Sequence, residues 1–139
     1  MSQLTYKSVN VGDDLPPLDL PPISRTTLAL YAGASGDHNP IHIDIDFAKQ
    51  AGMPDVFVHG MLSMAWLGRF VTGWVPQSAL RSLSVRFGAI THVRDRIACS
   101  GKVVEKLERN GEHLARIELR TADQNGETKL VGEALVALP

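Results

Sequence analysis

The chain has 139 residues, 44% of them hydrophobic and 21% charged, which suits one domain with a sizeable core and excludes a disordered chain. Fourteen Lys and Arg against fifteen Asp and Glu leave a net charge of −1, so bulk charge offers no hold on nucleic acid or an anionic membrane surface. The longest stretch without Asp, Glu, Lys or Arg, Val56 to Gly68, is shorter than the roughly 20 residues of a membrane span. Met1 to Gly12 shows no basic segment followed by an apolar run, so no secretory signal is expected. The single Cys99 fits a reducing, cytoplasmic location.

Residues 1 to about 23 are punctuated by Gly12, Pro16, Pro17, Pro21 and Pro22. They read as extended connection with at most one edge strand, for which Leu4-Thr5-Tyr6 is the candidate start. Ser24 is a suitable N-cap for a helix through Thr27, Leu28, Leu30 and Tyr31, which Gly33 and Gly36 should end. A polar segment follows, with one helical turn over 47–50, Asp44 or Asp46 near its cap and Gly52 beyond it. The run HGMLSMAWLGRFVTGW is apolar nearly all round and predicts a buried helix. Alternation in Leu83, Val85, Phe87 and in Ile117, Leu119 predicts strands near 79–90, 95–109, 112–122 and 127–138. Asn110-Gly111 and Asn125-Gly126 are hairpin signals between them. One buried helix followed by four antiparallel strands is α+β architecture, with the sheet wrapped around the helix.

Two clusters carry candidate chemistry: Asp37-His38-Asn39-Pro40-Ile41-His42 and His59-Gly60-Met61. Pro40 prevents His38 and His42 from sharing a helical face, which argues against a metal site of Asp37, His38 and His42. A turn at Asn39-Pro40 instead brings Asp37 and His42 into one space, where a carboxylate and an imidazole hold and polarise a water. Gly60 stands where the long helix begins, with open N–H groups and room for a substrate carbonyl. On composition alone the same residues read as turn and cap chemistry. Asp44 and Asp46 read as caps, His92 and His113 as solvated, and Cys99 as core. Arg81, Arg86, Arg94, Arg96 and Lys102 are either a solvated face or a phosphate patch.

The run Tyr31 to His42, followed by His59-Gly60-Met61, resembles the MaoC-like (R)-specific enoyl hydratase/dehydratase family. YAGASGDHNPIH…HGMLSM…VTGWV is most similar to the (3R)-hydroxyacyl-carrier-protein dehydratase subunits of mycolic-acid synthesis. The likeness extends from Val9-Gly12-Asp13 to the last strand. It implies a single hot-dog domain over residues 1–139, its antiparallel sheet wrapped around a long central helix, with an inserted hydratase loop segment. It implies syn hydration of a trans-2-enoyl thioester to the (3R)-3-hydroxyacyl thioester, or the reverse. Asp37 and His42 would hold the water, and the Gly60 amide would bind the thioester oxygen. Asn39, His59, Met61, Ser63, Met64 and Arg86 are the expected substrate-binding set. No metal or redox cofactor is implied; coenzyme A or phosphopantetheine carries the acyl group. The expected assembly is a homodimer or higher homo-oligomer, with a heterodimer possible and the sheets joined edge to edge.

The sequence departs from the family in one turn: Arg94 stands at a glycine position before Asp95, and the proline usual after the Arg86-Phe87 strand is absent. Two rival readings keep the fold. One is an accessory subunit, against which the presence of both Asp37 and His42 argues. The other is a thioesterase, which needs a helical carboxylate that Met61 to Val75 lacks. Met64 or Trp66 is the expected limit on acyl length, since flexible or bulky side chains would line a tunnel along the helix.

Overall fold

The computed structural model describes residues 3–139. Helix α1 spans Arg25–Ser35, and the hydroxyl of Ser24 caps it by accepting the Thr27 N–H at 3.1 Å. Gly36 ends it in the left-handed region at φ 78°, returning its N–H to the Ala32 carbonyl at 3.0 Å. Gly33 does not help to end it, because a glycine weakens a helix without forbidding one. Helix α2, Ile45–Gln50, starts two residues before the expected turn because the Asp44 carboxylate accepts the Asp46 and Phe47 N–H groups.

Helix α3, Gly60–Trp74, buries Leu62, Ser63, Trp66, Leu67, Phe70 and Val71. It is not buried all round, as its composition suggested. Met61, Ala65, Arg69 and Gly73, four residues apart along one face, are exposed in the single chain. The small or apolar residues in that stripe hid a second face that the sheet does not cover.

Among the described residues, five strands form one antiparallel sheet: β1 (Leu18–Asp19), β2 (Leu80–Phe87), β3 (Ala98–Arg109), β4 (Glu112–Ala122) and β5 (Thr128–Ala137). Their order is β1-β3-β4-β5-β2, which leaves β2 at one edge. Asn110 and Gly111, at φ 52° and 78°, form the two-residue turn between β3 and β4. The longer β4–β5 loop closes on Asp123, whose carboxylate accepts the Asn125 and Glu127 N–H groups, both at 2.9 Å. Ile117, Leu119, Leu130, Ala134 and Val136 face the core shared with Leu67, Phe70 and Val71 of α3. This is the hot-dog arrangement that the motifs imply. No helix among the described residues is long and apolar enough to cross a membrane.

The edge strand lies elsewhere than expected. Thr5 and Ser8 exchange backbone and side-chain hydrogen bonds at 2.9 and 3.1 Å, folding Leu4-Thr5-Tyr6 into a turn. Such local bonds compete with a strand ladder. β1 forms instead at Leu18–Asp19, against Cys99 and Ala98.

Candidate active site

The first cluster is shaped by its own short-range hydrogen bonds. Asn39 accepts the Ile41 N–H on its side-chain oxygen at 3.1 Å, capping a 3-10 turn over Pro40–His42. The Asn39 carbonyl takes the His42 N–H at 3.1 Å. Asp37 accepts the Asn39 N–H on one oxygen at 3.3 Å. Asp37 therefore stays exposed while His42 turns inward and is buried.

The second cluster arrives on a segment pinned by Val58, whose N–H donates to the Thr91 carbonyl at 2.9 Å. That segment places the Phe57 carbonyl 2.7 Å from His42 Nδ1. A carbonyl only accepts, so Nδ1 carries a proton, and in the neutral ring Nε2 presents its lone pair. His59 is wholly buried, stacked on His42 with ring centroids 4.1 Å apart and edge-on to Tyr31 at 4.7 Å. Neither of its nitrogens has a hydrogen-bond partner among the described residues. Burial, then the neighbouring His42, holds the His59 pKa below its ordinary 6.5, while Asp37 pulls the other way.

One donor atom each from Asp37, His42 and His59 lies within 4.8 Å of the others. No other trio of His, Cys, Asp or Glu among the described residues is gathered this way. Asp/His/His is also a donor set that divalent transition metals accept. Beside it, α3 begins. The Leu62 and Ser63 N–H groups donate to the His59 carbonyl at 3.1 and 3.3 Å, and His59 supplies no side-chain cap. The Gly60 and Met61 N–H groups are left without an acceptor among the described residues. A Cβ at Gly60 would stand 3.2 Å from the Phe87 ring, so glycine keeps this helix end close under that ring.

A MaoC like domain matches residues 10–124. The chain belongs to the MaoC-like domain family. The beta subunit of 3-oxo-4,17-pregnadiene-20-carboxyl-CoA hydratase from Mycobacterium tuberculosis is 32% identical over 126 residues, covering 81% of this chain and 97% of that one. The mitochondrial 3-hydroxyacyl-[acyl-carrier-protein] dehydratase FERN of Solanum lycopersicum is 27% identical over 109 residues, 78% of this chain and 66% of the relative. The chain thus spans about two thirds of that relative's length. The unliganded R-hydratase PhaJ1 of Pseudomonas aeruginosa superposes with a TM-score of 0.87 at 27% identity, over 99% of this chain and 86% of that one.

In this MaoC-like domain a cavity of about 310 Å³ opens beside Gly60, lined among others by Phe57, Ser63, Phe87, Ile90 and Leu130. Several expected contacts lie outside it. Trp66 packs against the Leu20–Ile23 strap, Met64 is part-buried against the core, and Met61 is exposed. They follow the 3.6-residue period of α3 onto faces other than the one Ser63 presents. Arg86 alternates with Phe87 along β2 and shares the opposite side of the sheet with Glu118 and Glu133. The Asn39 side-chain oxygen is committed to its own turn.

Arg81 and Lys102 do not share a patch, since β4 and β5 lie between their strands. Arg81 is held by Glu112 at 2.5 Å at the far end of β2, and Lys102 by Asp14 at 3.1 Å beside β3. Cys99 is fully buried, and burial pushes its thiol up to about 12.

Sequence reasoning missed Phe57, whose carbonyl orients His42, and Phe87, which roofs Gly60. It also missed Lys129, whose carbonyl accepts the Gly88 and Ala89 N–H groups at 2.8 and 3.2 Å. The Lys129 ammonium is buried, bonds the Ile90 carbonyl at 2.9 Å and pairs with Glu127, Asp123 and Asp95. Both ends of Lys129 thus hold the 88–90 wall of the cavity. No sequence pattern marks it, since a lysine beside a turn ordinarily reads as solvated.

Proposed function

We propose that this chain adds water across the double bond of a trans-2-enoyl thioester to give the (3R)-3-hydroxyacyl thioester, and catalyses the reverse dehydration. The observation that carries the reading is the fixed tautomer of His42. Its Nδ1–H is tied to Phe57, so its Nε2 lone pair is the available base beside the Asp37 carboxylate. Nε2 takes one proton of the water while Asp37 accepts the other hydrogen and steadies the imidazolium that forms. The hydroxyl oxygen bonds C3. Charge moves to the thioester oxygen, where the open Gly60 N–H and the positive end of α3 stabilise it. His42 then returns the proton to C2 on the same face, so one O–H bond and the C2=C3 π bond are exchanged for one C–O and one C–H bond.

Names of the relatives support this class: a CoA hydratase subunit, an acyl-carrier-protein dehydratase and an R-hydratase. The mechanism draws on protein groups alone, with coenzyme A or phosphopantetheine as carrier. A homodimer or heterodimer fits the β2 edge and the exposed Met61–Gly73 stripe. The one cysteine, fully buried, suits a reducing compartment such as the cytoplasm.

The test is loss of enoyl absorbance when the purified chain meets crotonyl-CoA, with chiral analysis of the product and Asp37→Asn as control. Formation of the (R) product, lost in the variant, supports the reading. Turnover only of the carrier-protein thioester moves the activity to the dehydratase of fatty-acid synthesis. Turnover of neither by the folded chain, alone or with a partner subunit, removes the reading.

A further inference from the structure

We infer that His59 is a third anchor of the reacting water, holding it together with Asp37 and His42. A buried polar atom without a partner is disfavoured and calls for a specific reason. His59 has two such atoms at 0% exposure. Its packing does not supply the reason. A phenyl ring would stack on His42 and meet the edge of Tyr31 as well as an imidazole does. The Asp37 backbone accounts for at most one nitrogen, so the other serves something other than shape.

What lies within their reach is the pair already assigned to the water. One His59 nitrogen sits within 4.8 Å of both an Asp37 oxygen and a His42 nitrogen. Partners that each bond one water at about 2.8 Å with tetrahedral angles stand roughly 4.6 Å apart. One water can thus satisfy a His59 nitrogen while remaining on Asp37 and His42. The third bond removes the water's freedom to rotate away from C3, so His59 acts on the chemical step more than on thioester binding. Burial and the neighbouring His42 also disfavour its charged form.

The inference rests on the hydratase reading, and the experiment separates the two. His59→Phe and His59→Gln are made in the full chain and assayed on crotonyl-CoA beside the wild type. His59→Phe is expected to keep its melting temperature and KM within about twofold while kcat falls about tenfold or more, the value of one lost hydrogen bond at the transition state. His59→Gln, which restores a donor and an acceptor, recovers part of kcat. A His59→Phe variant as fast as wild type, or equal losses in both variants, overturns the inference and leaves the hydratase standing. So does a stoichiometric metal ion in the purified wild type whose removal by a chelator abolishes turnover. Absence of wild-type turnover overturns both.

Discussion

Two polar clusters among the described residues, each built around one buried side chain, are completed differently. Around Lys129, the ammonium meets the Ile90 carbonyl and three carboxylates, and its backbone carbonyl takes two more N–H groups. Burial alone would lower the Lys129 pKa, but the Glu127, Asp95 and Asp123 charges outweigh it and hold it above the ordinary lysine value. Around His59, two ring nitrogens and two helix N–H groups are left open. A saturated network specifies shape. An unsaturated one has polar atoms free to bind something, and the contrast is in line with the proposed site.

Substitutions can break that contrast. The largest effect is expected at Asp37, which is exposed and whose one hydrogen bond is local. Asp37→Asn should lower kcat for enoyl-CoA hydration by about 10²–10⁴-fold with an unchanged melting temperature, the range of a general acid–base partner. An active variant would mean the cluster is not the site. Lys129→Met should do the reverse in kind, destabilising the fold by about 1–3 kcal/mol because it removes the cation beside Asp95 and Asp123, which keep their other hydrogen bonds, and releases the exposed Glu127. Urea denaturation measures this, and a loss below about 1 kcal/mol would show that the network is not saturated as described.

Acidification sharpens the comparison. The folded His59 pKa is depressed, so the unfolded chain binds a proton at its ordinary 6.5 before the folded chain does. Stability is therefore lost as pH falls from 6.5 towards the folded value. His59→Phe should lack this share of the decline in melting temperature, whereas Lys129→Met should retain it. The smallest effect is expected at Arg94, which holds φ 74° in the turn before Asp95. Arg94→Gly should stabilise by about 0.5–1 kcal/mol, since glycine adopts that conformation without a steric cost. A thermal melt in which the variant falls below wild type would locate a stabilising role in the arginine side chain.

What the sequence disclosed follows from how local each determinant is. Ser24, Asp44 and the Asn110-Gly111 turn act within a few residues, so their caps and hairpin were legible. That Asp37 and His42 come together and that Gly60 opens α3 was legible because proline and glycine punctuate them and their motifs resemble a family. The roles of Phe57 and Lys129 were not, because each acts through a backbone carbonyl on a distant segment. That Met64 and Trp66 do not line the cavity beside Gly60 was hidden for a related reason: a helix apolar on nearly every face does not reveal which face meets a given cavity. The Leu4-Thr5-Tyr6 strand failed where a Thr–Ser hydrogen-bond exchange won over β-propensity.

The acceptor that orients His42 is a main-chain oxygen. No amino-acid replacement at position 57 deletes that atom, so the proton arrangement of the base is inherited with the path of the chain, independently of codon 57. A saturation library should accordingly find position 57 tolerant of any residue that fills the ring's volume, next to near-total intolerance at 37 and 42. Chemistry written into the main chain is shielded from point mutation.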